Sequence, residues 1–325
     1  MKNELKPNVV GIDIGGTNTV FGIVDKNGKV LAFNSIKTQA YPVLDEYMTA
    51  LCDGISKLAS ENCGIDNIQG IGVGAPNANF YSGNIEYAAN LPWKGIVPFA
   101  KMMTDRLNVP VALTNDANAA AIGEMTYGVA KGMKDFIMIT LGTGVGSGIV
   151  VNGQMVYGSD GMAGELGHVI VEKNGRTCGC GRKGCLETYC SATGVARTAR
   201  EIVSGTDKPT LLRNIPLDQI ESKDVSIAAS KGDEVAKEIF EYTGRILGEA
   251  CADFAAFNSP EAFIFFGGLT KAGDLIMEPI RRAYDETVLK IYRGKAKMLI
   301  SQLDDAKAAV LGASALGWEL AMHNA

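Results

Sequence analysis

Apolar and polar positions along this chain fall into two textures. Val9, Val10, Ile12 and Ile14 form a short apolar run leading into Gly15-Gly16-Thr17, and Val20, Phe21, Ile23 and Val24 form a second, closed by Asp25-Lys26-Asn27-Gly28. Short runs bounded by Gly, Asn and Asp predict strand, Gly/Thr turn, strand and then a hairpin turn. The same texture recurs at 136–151, where Phe136-Ile-Met-Ile-Thr140-Leu-Gly142-Thr143-Gly144 leads into a second apolar run ending at Asn152-Gly153. Laying one passage over the other puts Asp13 on Thr140 and Gly15 on Gly142, which predicts two copies of one domain core. The other texture is helical. Apolar residues at three- and four-residue spacing predict helix over 44–61, 195–203 and 233–257, part of a helix at 102–107, and an Ala/Gly-rich helix at 306–322. Buried strands are expected at 68–73, 111–114 and 261–266, and 204–224, with Gly205, Pro209 and Pro216, reads as a connection.

Composition narrows the class. A chain of 325 residues with 46% hydrophobic and 21% charged residues is expected to form two soluble globular domains. The net charge of -5 and the lack of any basic run argue against a nucleic-acid surface. No apolar stretch reaches the ~18 residues of a membrane span, and Met1-Lys2-Asn3-Glu4-Leu5-Lys6 lacks the apolar core of a signal peptide. Seven cysteines, an odd number, fit a reducing compartment, so the expected location is the cytoplasm, with no membrane or nucleic-acid partner.

Three of those cysteines stand together in Cys178-Gly179-Cys180-Gly181-Arg182-Lys183-Gly184-Cys185, ten residues after His168, one of two histidines in the chain. Three thiols and an imidazole suit a tetrahedral zinc site of the Cys3His kind, with the glycines letting the loop close tightly. The plainer alternative is three buried free cysteines, since reduced Cys packs as a small hydrophobe. A fully ligated zinc has no open position for water, so it would be structural. Glu165 and Glu187 flank the loop, and its closure is expected to gather both carboxylates beside His168.

A Gly/Thr turn offers backbone N–H groups and hydroxyls to phosphate oxygens, although such turns also simply make hairpins. Asp13 favours the phosphate reading, because a carboxylate ending an apolar strand needs a cation or donors, and nucleotide-bound magnesium would supply the charge. No Gly-x4-Gly-Lys-Ser/Thr occurs. The Gly179/Gly181/Gly184 pattern is discounted as a dinucleotide fingerprint, having no apolar strand before it and no obvious helix after it. In Thr114-Asn115-Asp116-Ala117-Asn118 a strand end turns into an Ala-rich helix. Asp116 reads either as a cap or as the base that phosphoryl transfer to a hydroxyl requires.

Taken together, Asp13-Ile14-Gly15-Gly16-Thr17, Asn115-Asp116, Thr140-Leu141-Gly142-Thr143-Gly144, Glu165-Leu166-Gly167-His168, the cysteine loop with Glu187, and Gly267-Gly268 resemble the ROK family (repressors, open reading frames, sugar kinases) of the actin/hexokinase/Hsp70 ATPase superfamily. The resemblance covers nearly the whole chain. It implies two ribonuclease-H-like α/β domains with a central cleft and a structural zinc loop. The domains would be 1–117 and 118–305, the second carrying the nucleotide site and zinc loop, with a C-terminal helix at about 306–325 packing back on the first. It implies an ATP- and Mg2+-dependent hexose kinase, foremost one acting on the 6-hydroxyl of glucose. N-acetylglucosamine, N-acetylmannosamine and fructose are the alternatives, followed by a non-catalytic sugar-binding regulator. A repressor with a helix-turn-helix before the kinase-like part is disfavoured, since Asp13 lies so near the start. By resemblance, Asp116 is the base; Asn115, Glu165, His168 and Glu187, with Asn90 and Gly74, contact the sugar. Asp13, Gly15, Gly16, Thr17, Thr140, Gly142, Thr143, Gly144, Gly267 and Gly268 hold the nucleotide, and His168, Cys178, Cys180 and Cys185 hold zinc. A homodimer or homotetramer is expected.

Overall fold

The turn at 15–17 closes a hairpin between β1 (Asn8–Ile14) and β2 (Asn18–Asp25), with Asp13 opposite Val20 and Ile14 opposite Thr19, in a computed structural model that describes residues 6–303 and 305–323. Next come β3 (Val30–Lys37), α1 (Leu44–Asn62), β4 (Ile68–Gly74), the short strands β5 (Ala78–Asn79), β6 (Asn84–Glu86) and β7 (Ile96–Val97), α2 (Phe99–Leu107), β8 (Val111–Thr114) and α3 (Asp116–Tyr127). One sheet runs β3-β2-β1-β4-β8, its first three strands antiparallel and β1, β4 and β8 parallel. β5, β6 and β7 form a small sheet of their own.

The second half repeats this order. β9 (Phe136–Leu141) and β10 (Val145–Val151) pair antiparallel around the turn at 142–144 and are followed by β11 (Gln154–Met155), α4 (Glu187–Cys190), α5 (Ala192–Gly205), α6 (Ser222–Ser230), α7 (Glu234–Asn258), β12 (Ala262–Phe266), α8 (Asp274–Thr287), β13 (Lys297–Ile300) and α9 (Asp305–His323). The sheet runs β11-β10-β9-β12-β13, with β9, β12 and β13 parallel. Asp13 and Thr140 are each the next-to-last residue of the strand that leads into the Gly/Thr turn. The fold is mixed α/β with two like-ordered sheets.

The chain forms two compact units, one comprising residues up to Gly132, Gln154–Gly164 and those from Gln302 on, the other Met133–Gly153 and Glu165–Ser301. The chain thus passes from the first unit after Gly132, and α3 stays whole within it, whereas a boundary at 117/118 would cut α3 at its first turn. In the first unit, Phe21, Tyr47, Phe99 and Val10, Ile12 and Ile14 of β1 form the core on one face of the sheet. On the other face α9 lies almost backbone to backbone against the strands. A Cβ at Gly72 would fall 1.8 Å from the Ala313 carbonyl oxygen, and one at Gly11 2.0 Å from that of Val310. The core of the second unit joins Phe240, Phe263 and Phe265 to α5, α7 and α8.

Two local expectations change. Helices do follow the cysteine loop, α4 and then α5, although α4 is a single turn with no preceding strand, so the dinucleotide pattern still has no strand to sit on. Helix α8 is hidden in the sequence by Gly273 and Pro279; Pro279 sits inside the helix, packed where a Cβ on Gly244 of α7 would come within 2.4 Å of it. No helix among the described residues is long and apolar enough to cross a membrane.

Candidate active site

In the first unit, the parallel strands β1, β4 and β8 end side by side: Asp13 pairs with Gly74, and Gly74 with Thr114. A Cβ on Gly74 would lie 3.0 Å from the Ala119 methyl, 3.6 Å from Asp116 Cα and 4.0 Å from Asp13 Oδ1. Glycine here lets α3 begin directly over the strand ends, which brings Asp116 towards Asp13. The cap of α3 is Asn115, whose Oδ1 accepts from Ala117 N at 2.8 Å. Asp116 is the first helical residue, and its Oδ1 accepts from the same N–H, also at 2.8 Å. The capping role is therefore met by Asn115 even without Asp116.

Both carboxyls are electrostatically perturbed. Asp116 is open to solvent at its surface, yet the protein around it removes enough hydration to raise its pKa, against the Ala117 N–H and its own N–H, which favour the anion. Asp13 is pushed up to about 7, first by burial and then by the negative charge of Asp116. A cation placed between these two carboxylates would relieve their mutual repulsion. Gly15, Gly16 and Thr17 make the turn above, where Gly15 N donates to Asn18 O at 2.9 Å. Gln39, which the sequence did not single out, ties this turn to the loop carrying Asn90: its Nε2 donates to Gly16 O at 2.7 Å and to Asn90 O at 3.3 Å.

In the second unit the three cysteines of the loop and His168 converge. The ligand atoms of His168, Cys178, Cys180 and Cys185 all lie within 4.8 Å of one another. Cys180 and Cys185 sulfurs are 3.7 Å apart, and Cys178 Sγ is 3.7 Å from His168 Nδ1. Zn–S bonds of about 2.3 Å in a tetrahedron put sulfurs about 3.8 Å apart, so this donor set fits zinc in both chemistry and spacing. Gly181 and Gly184 adopt positive φ, and a Cβ on Gly184 would strike the Glu172 carbonyl at 1.8 Å. Gly179 has no such requirement, which narrows the need for glycine in the loop.

The carboxylates stand beside this cluster. Glu187, at the start of α4, accepts from the Cys178 thiol at 3.2 Å through Oε1, which is 3.7 Å from His168 Nδ1, and from Val145 N at 3.4 Å through Oε2. Glu165 precedes the short turn Leu166–His168, and its carbonyl accepts from His168 N at 3.1 Å. Arg182 Nη1 donates to His168 O at 3.0 Å and holds the histidine backbone. With Nδ1 turned towards the cysteines, Nε2 is the ring nitrogen left for another partner. Beneath the loop lies Arg176, buried and donating to Thr188 O at 2.8 Å and to Thr198 Oγ1 at 2.9 Å, with an ion pair to Glu201. It joins the loop to α5. Its place two residues before Cys178 carried no signal that a charge would be buried there.

The second Gly/Thr turn is braced from α5. Ala192 N donates to Gly142 O and Thr193 Oγ1 to Thr143 O, each at 2.8 Å, while Thr140 Oγ1 accepts from Gly146 N at 3.1 Å. At Gly142 and Gly268 nothing lies within 4 Å of where a Cβ would stand, so these glycines border open space. Gly144 is different: a Cβ there would fall 2.6 Å from Glu187 Oε2, so glycine at 144 makes room for that carboxylate. Gly267 takes φ 111°, with the Leu141 carbonyl 2.6 Å from its Cβ position. The expected site residues are thus grouped unit by unit: Asp13, Gly15–Thr17, Gly74, Asn90, Asn115 and Asp116 in the first, and Thr140, Gly142–Gly144, Glu165, His168, the three cysteines, Glu187, Gly267 and Gly268 in the second.

The glucokinase of Streptomyces coelicolor is 35% identical over 317 residues, spanning 95% of this chain and 97% of its own. A crystal structure of a ROK family glucokinase from Streptomyces griseus in complex with glucose and AMPPNP matches with a TM-score of 0.80 at 34% identity, covering 96% of this chain and 99% of that one. The DNA-binding transcriptional dual regulator NagC of Escherichia coli is 28% identical over 94% of this chain and 74% of its own length. The ROK family signature matches residues 9–319, from the first strand into the last helix, and the chain belongs to the ROK family.

Proposed function

We propose that the protein is an ATP-dependent hexose kinase that phosphorylates the 6-hydroxyl of glucose, with Asp116 as the base. The observation that carries this reading is the placement of Asp116 as the first residue of α3, where Asn115 already caps the helix and reduced hydration raises its pKa. A carboxylate with a raised pKa is a stronger base, and so a better proton acceptor at the transition state, than an ordinary surface one. The proton of the sugar hydroxyl passes to Asp116 as its oxygen attacks the γ-phosphorus, and the bond to the β-phosphate oxygen breaks to release ADP. Positioning does most of the remaining work, as phosphoryl transfer requires.

Glu165, Glu187 and the free ring nitrogen of His168 hydrogen-bond sugar hydroxyls, the carboxylates as acceptors. Zinc held by His168, Cys178, Cys180 and Cys185 would keep this loop closed. Magnesium carried by the nucleotide, facing Asp13, would neutralise phosphate charge. The turns at Thr140–Gly144 and Gly267–Gly268, both in the second unit, would take the phosphates. The similarity to the Streptomyces coelicolor glucokinase and to the glucose and AMPPNP complex supports glucose as the acceptor.

The test is ADP release from MgATP by purified protein with glucose, N-acetylglucosamine, N-acetylmannosamine, mannose and fructose in turn. Glucose is expected to give the highest kcat/KM. Preference for an N-acetylhexosamine or fructose would reassign the acceptor, and absence of turnover with every sugar in zinc-loaded protein would refute the kinase.

A further inference from the structure

Between two stretches of the second unit, the segment Gln154–Gly164 packs as part of the first, and the chain re-enters the second unit at Glu165. Asn79, Phe80 and Tyr81, at the end of β5, hold this strap. The Phe80 and Tyr157 rings stack with centroids 4.1 Å apart and planes within 5° of parallel, and Tyr81 meets Tyr157 edge to face at 6.1 Å. Phe80 and Met155 in turn pack against the cluster of Ala112, Ile122 and Leu316. Tyr81 Oη donates to Gly158 O at 3.1 Å, and the buried Asn79 donates through Nδ2 to Asp160 O at 2.7 Å. Asn79 Oδ1 meanwhile accepts from Tyr81 N at 3.0 Å, so one side chain both bends its own turn and grips the strap. Gly161, at φ 87°, makes room for it, since a Cβ there would fall 2.4 Å from Asn79 Oδ1.

The strap is also closed on itself: Ala163 N donates to Tyr157 O and Met162 N to Asp160 Oδ1, each at 3.1 Å. The chain between the Tyr157 ring and Gly164 therefore has little freedom, and Glu165 is the next residue. The Tyr157 hydroxyl is buried near Thr114, which ends β8 directly before Asn115 and Asp116, but it forms no hydrogen bond of good geometry there. The ring is thus the part that holds the strap. We propose that Tyr157 is a positioning residue for Glu165: its ring, clamped by Phe80 and Tyr81, fixes the backbone from which the Glu165 carboxylate meets the sugar. A loop that carries a ligand-binding group loses conformational entropy when the ligand binds, and anchoring it beforehand removes that cost from the binding step. If loss of the ring left the strap in place about a tenth of the time, the apparent dissociation constant for sugar would rise about tenfold. The inference rests on the proposed function, in that it takes Glu165 as a sugar contact.

Titration calorimetry and initial rates with MgATP test it, using the sugar of the panel that wild type turns over fastest, expected to be glucose. Tyr157→Ala should raise Kd and KM for the sugar about tenfold while kcat stays within about threefold, because bound sugar itself holds the strap. A merely structural loss would instead lower the number of competent sites and leave Kd unchanged. Tyr157→Phe keeps the stack and should bind sugar like wild type. Phe80→Ala should reproduce the defect, with the double variant little worse than either single one, since each removes the same stack. Phe80→Ala also decides the matter if thermal unfolding shows that Tyr157→Ala has not folded. Hydrogen exchange without ligand should be faster in the alanine variants at Ala163 and His168, whose N–H groups bond to Tyr157 O and Glu165 O. Unchanged sugar affinity or unchanged exchange in the folded alanine variants, or an equal loss in Tyr157→Phe, would overturn the inference and leave wild-type turnover, and so the kinase reading, standing. Absence of binding by wild type to every sugar in the panel would overturn both.

Discussion

Replacing Asp13 with Asn should stabilise the ligand-free protein while weakening its use of nucleotide. Asp13 has a pKa of about 7 in the folded chain, against 3.8 for the unfolded reference, because it is buried and faces the charge of Asp116. A folded pKa above the unfolded one means that the native state holds the proton more tightly. The group's contribution to stability is therefore fully present below pH 3.8 and is lost as the pH rises towards 7. At 1.36 kcal/mol per pH unit the full penalty above pH 7 is about 4 kcal/mol. Asn removes the charge but keeps a polar amide to satisfy, so about half of that, roughly 2 kcal/mol, should be recovered. For a chain of this size about 1–2 °C accompanies each kcal/mol, so Asp13→Asn should melt about 3 °C above wild type at pH 8. At pH 5 the folded carboxyl is neutral but most unfolded chains still carry the charge, so about 1.6 kcal/mol of the penalty remains; set against the part that Asn does not recover, the two proteins should melt within about 1 °C of each other. Thermal unfolding by circular dichroism at both pH values, without nucleotide, makes the measurement. Equal melting at pH 8, or an offset that persists undiminished at pH 5, would refute the electrostatic reasoning. In parallel, MgATP should raise the melting temperature of wild type more than that of the variant.

Other consequences can be checked in the same preparations. Asp116→Asn should lower kcat by about 10²–10⁴-fold with sugar binding retained by calorimetry, and the wild-type rate should fall on the acid side at a pH above the ordinary carboxylate range, where Asp116 becomes protonated. Cys180→Ala should lose zinc by elemental analysis and show a higher KM for sugar together with a lower melting temperature, because the loop that positions Glu187 opens; full zinc content with unchanged KM would contradict the metal's role. Gly72→Ala forces a methyl to 1.8 Å from the Ala313 carbonyl and should cost about 3 kcal/mol or more through displacement of α9, whereas Gly142→Ala, with nothing within 4 Å, should melt like wild type and lose nucleotide affinity.

Much of the fold could be read from local pattern. The two Gly/Thr hairpins, the strand at Val111–Thr114 and the helix at Glu234–Asn258 follow from residue alternation, helical spacing and turn chemistry acting over a few neighbours. The convergence of the Cys/His cluster was legible for the same reason, since three cysteines spaced by glycines and one nearby histidine can reach each other without help from distant chain. Helix α8 was not, because Pro279 weakens the local signal and its place is supplied by Gly244 on another helix.

The order of residues supplies an inventory: which chemical groups exist, which turns can bend, and which segments have a face to bury. How those groups act on one another is settled by the folded arrangement. Gly144 is glycine because the Glu187 carboxylate occupies the space of its side chain, Gly11 and Gly72 because α9 rests on the sheet backbone, and Arg176 can be buried because Thr188, Thr198 and Glu201 meet it. Asp13 titrates near neutrality because folding removes its water and brings Asp116 close. Hydration and Coulomb energies depend on distance in space, and distance in space between residues far apart in the chain is set by packing, not by their order.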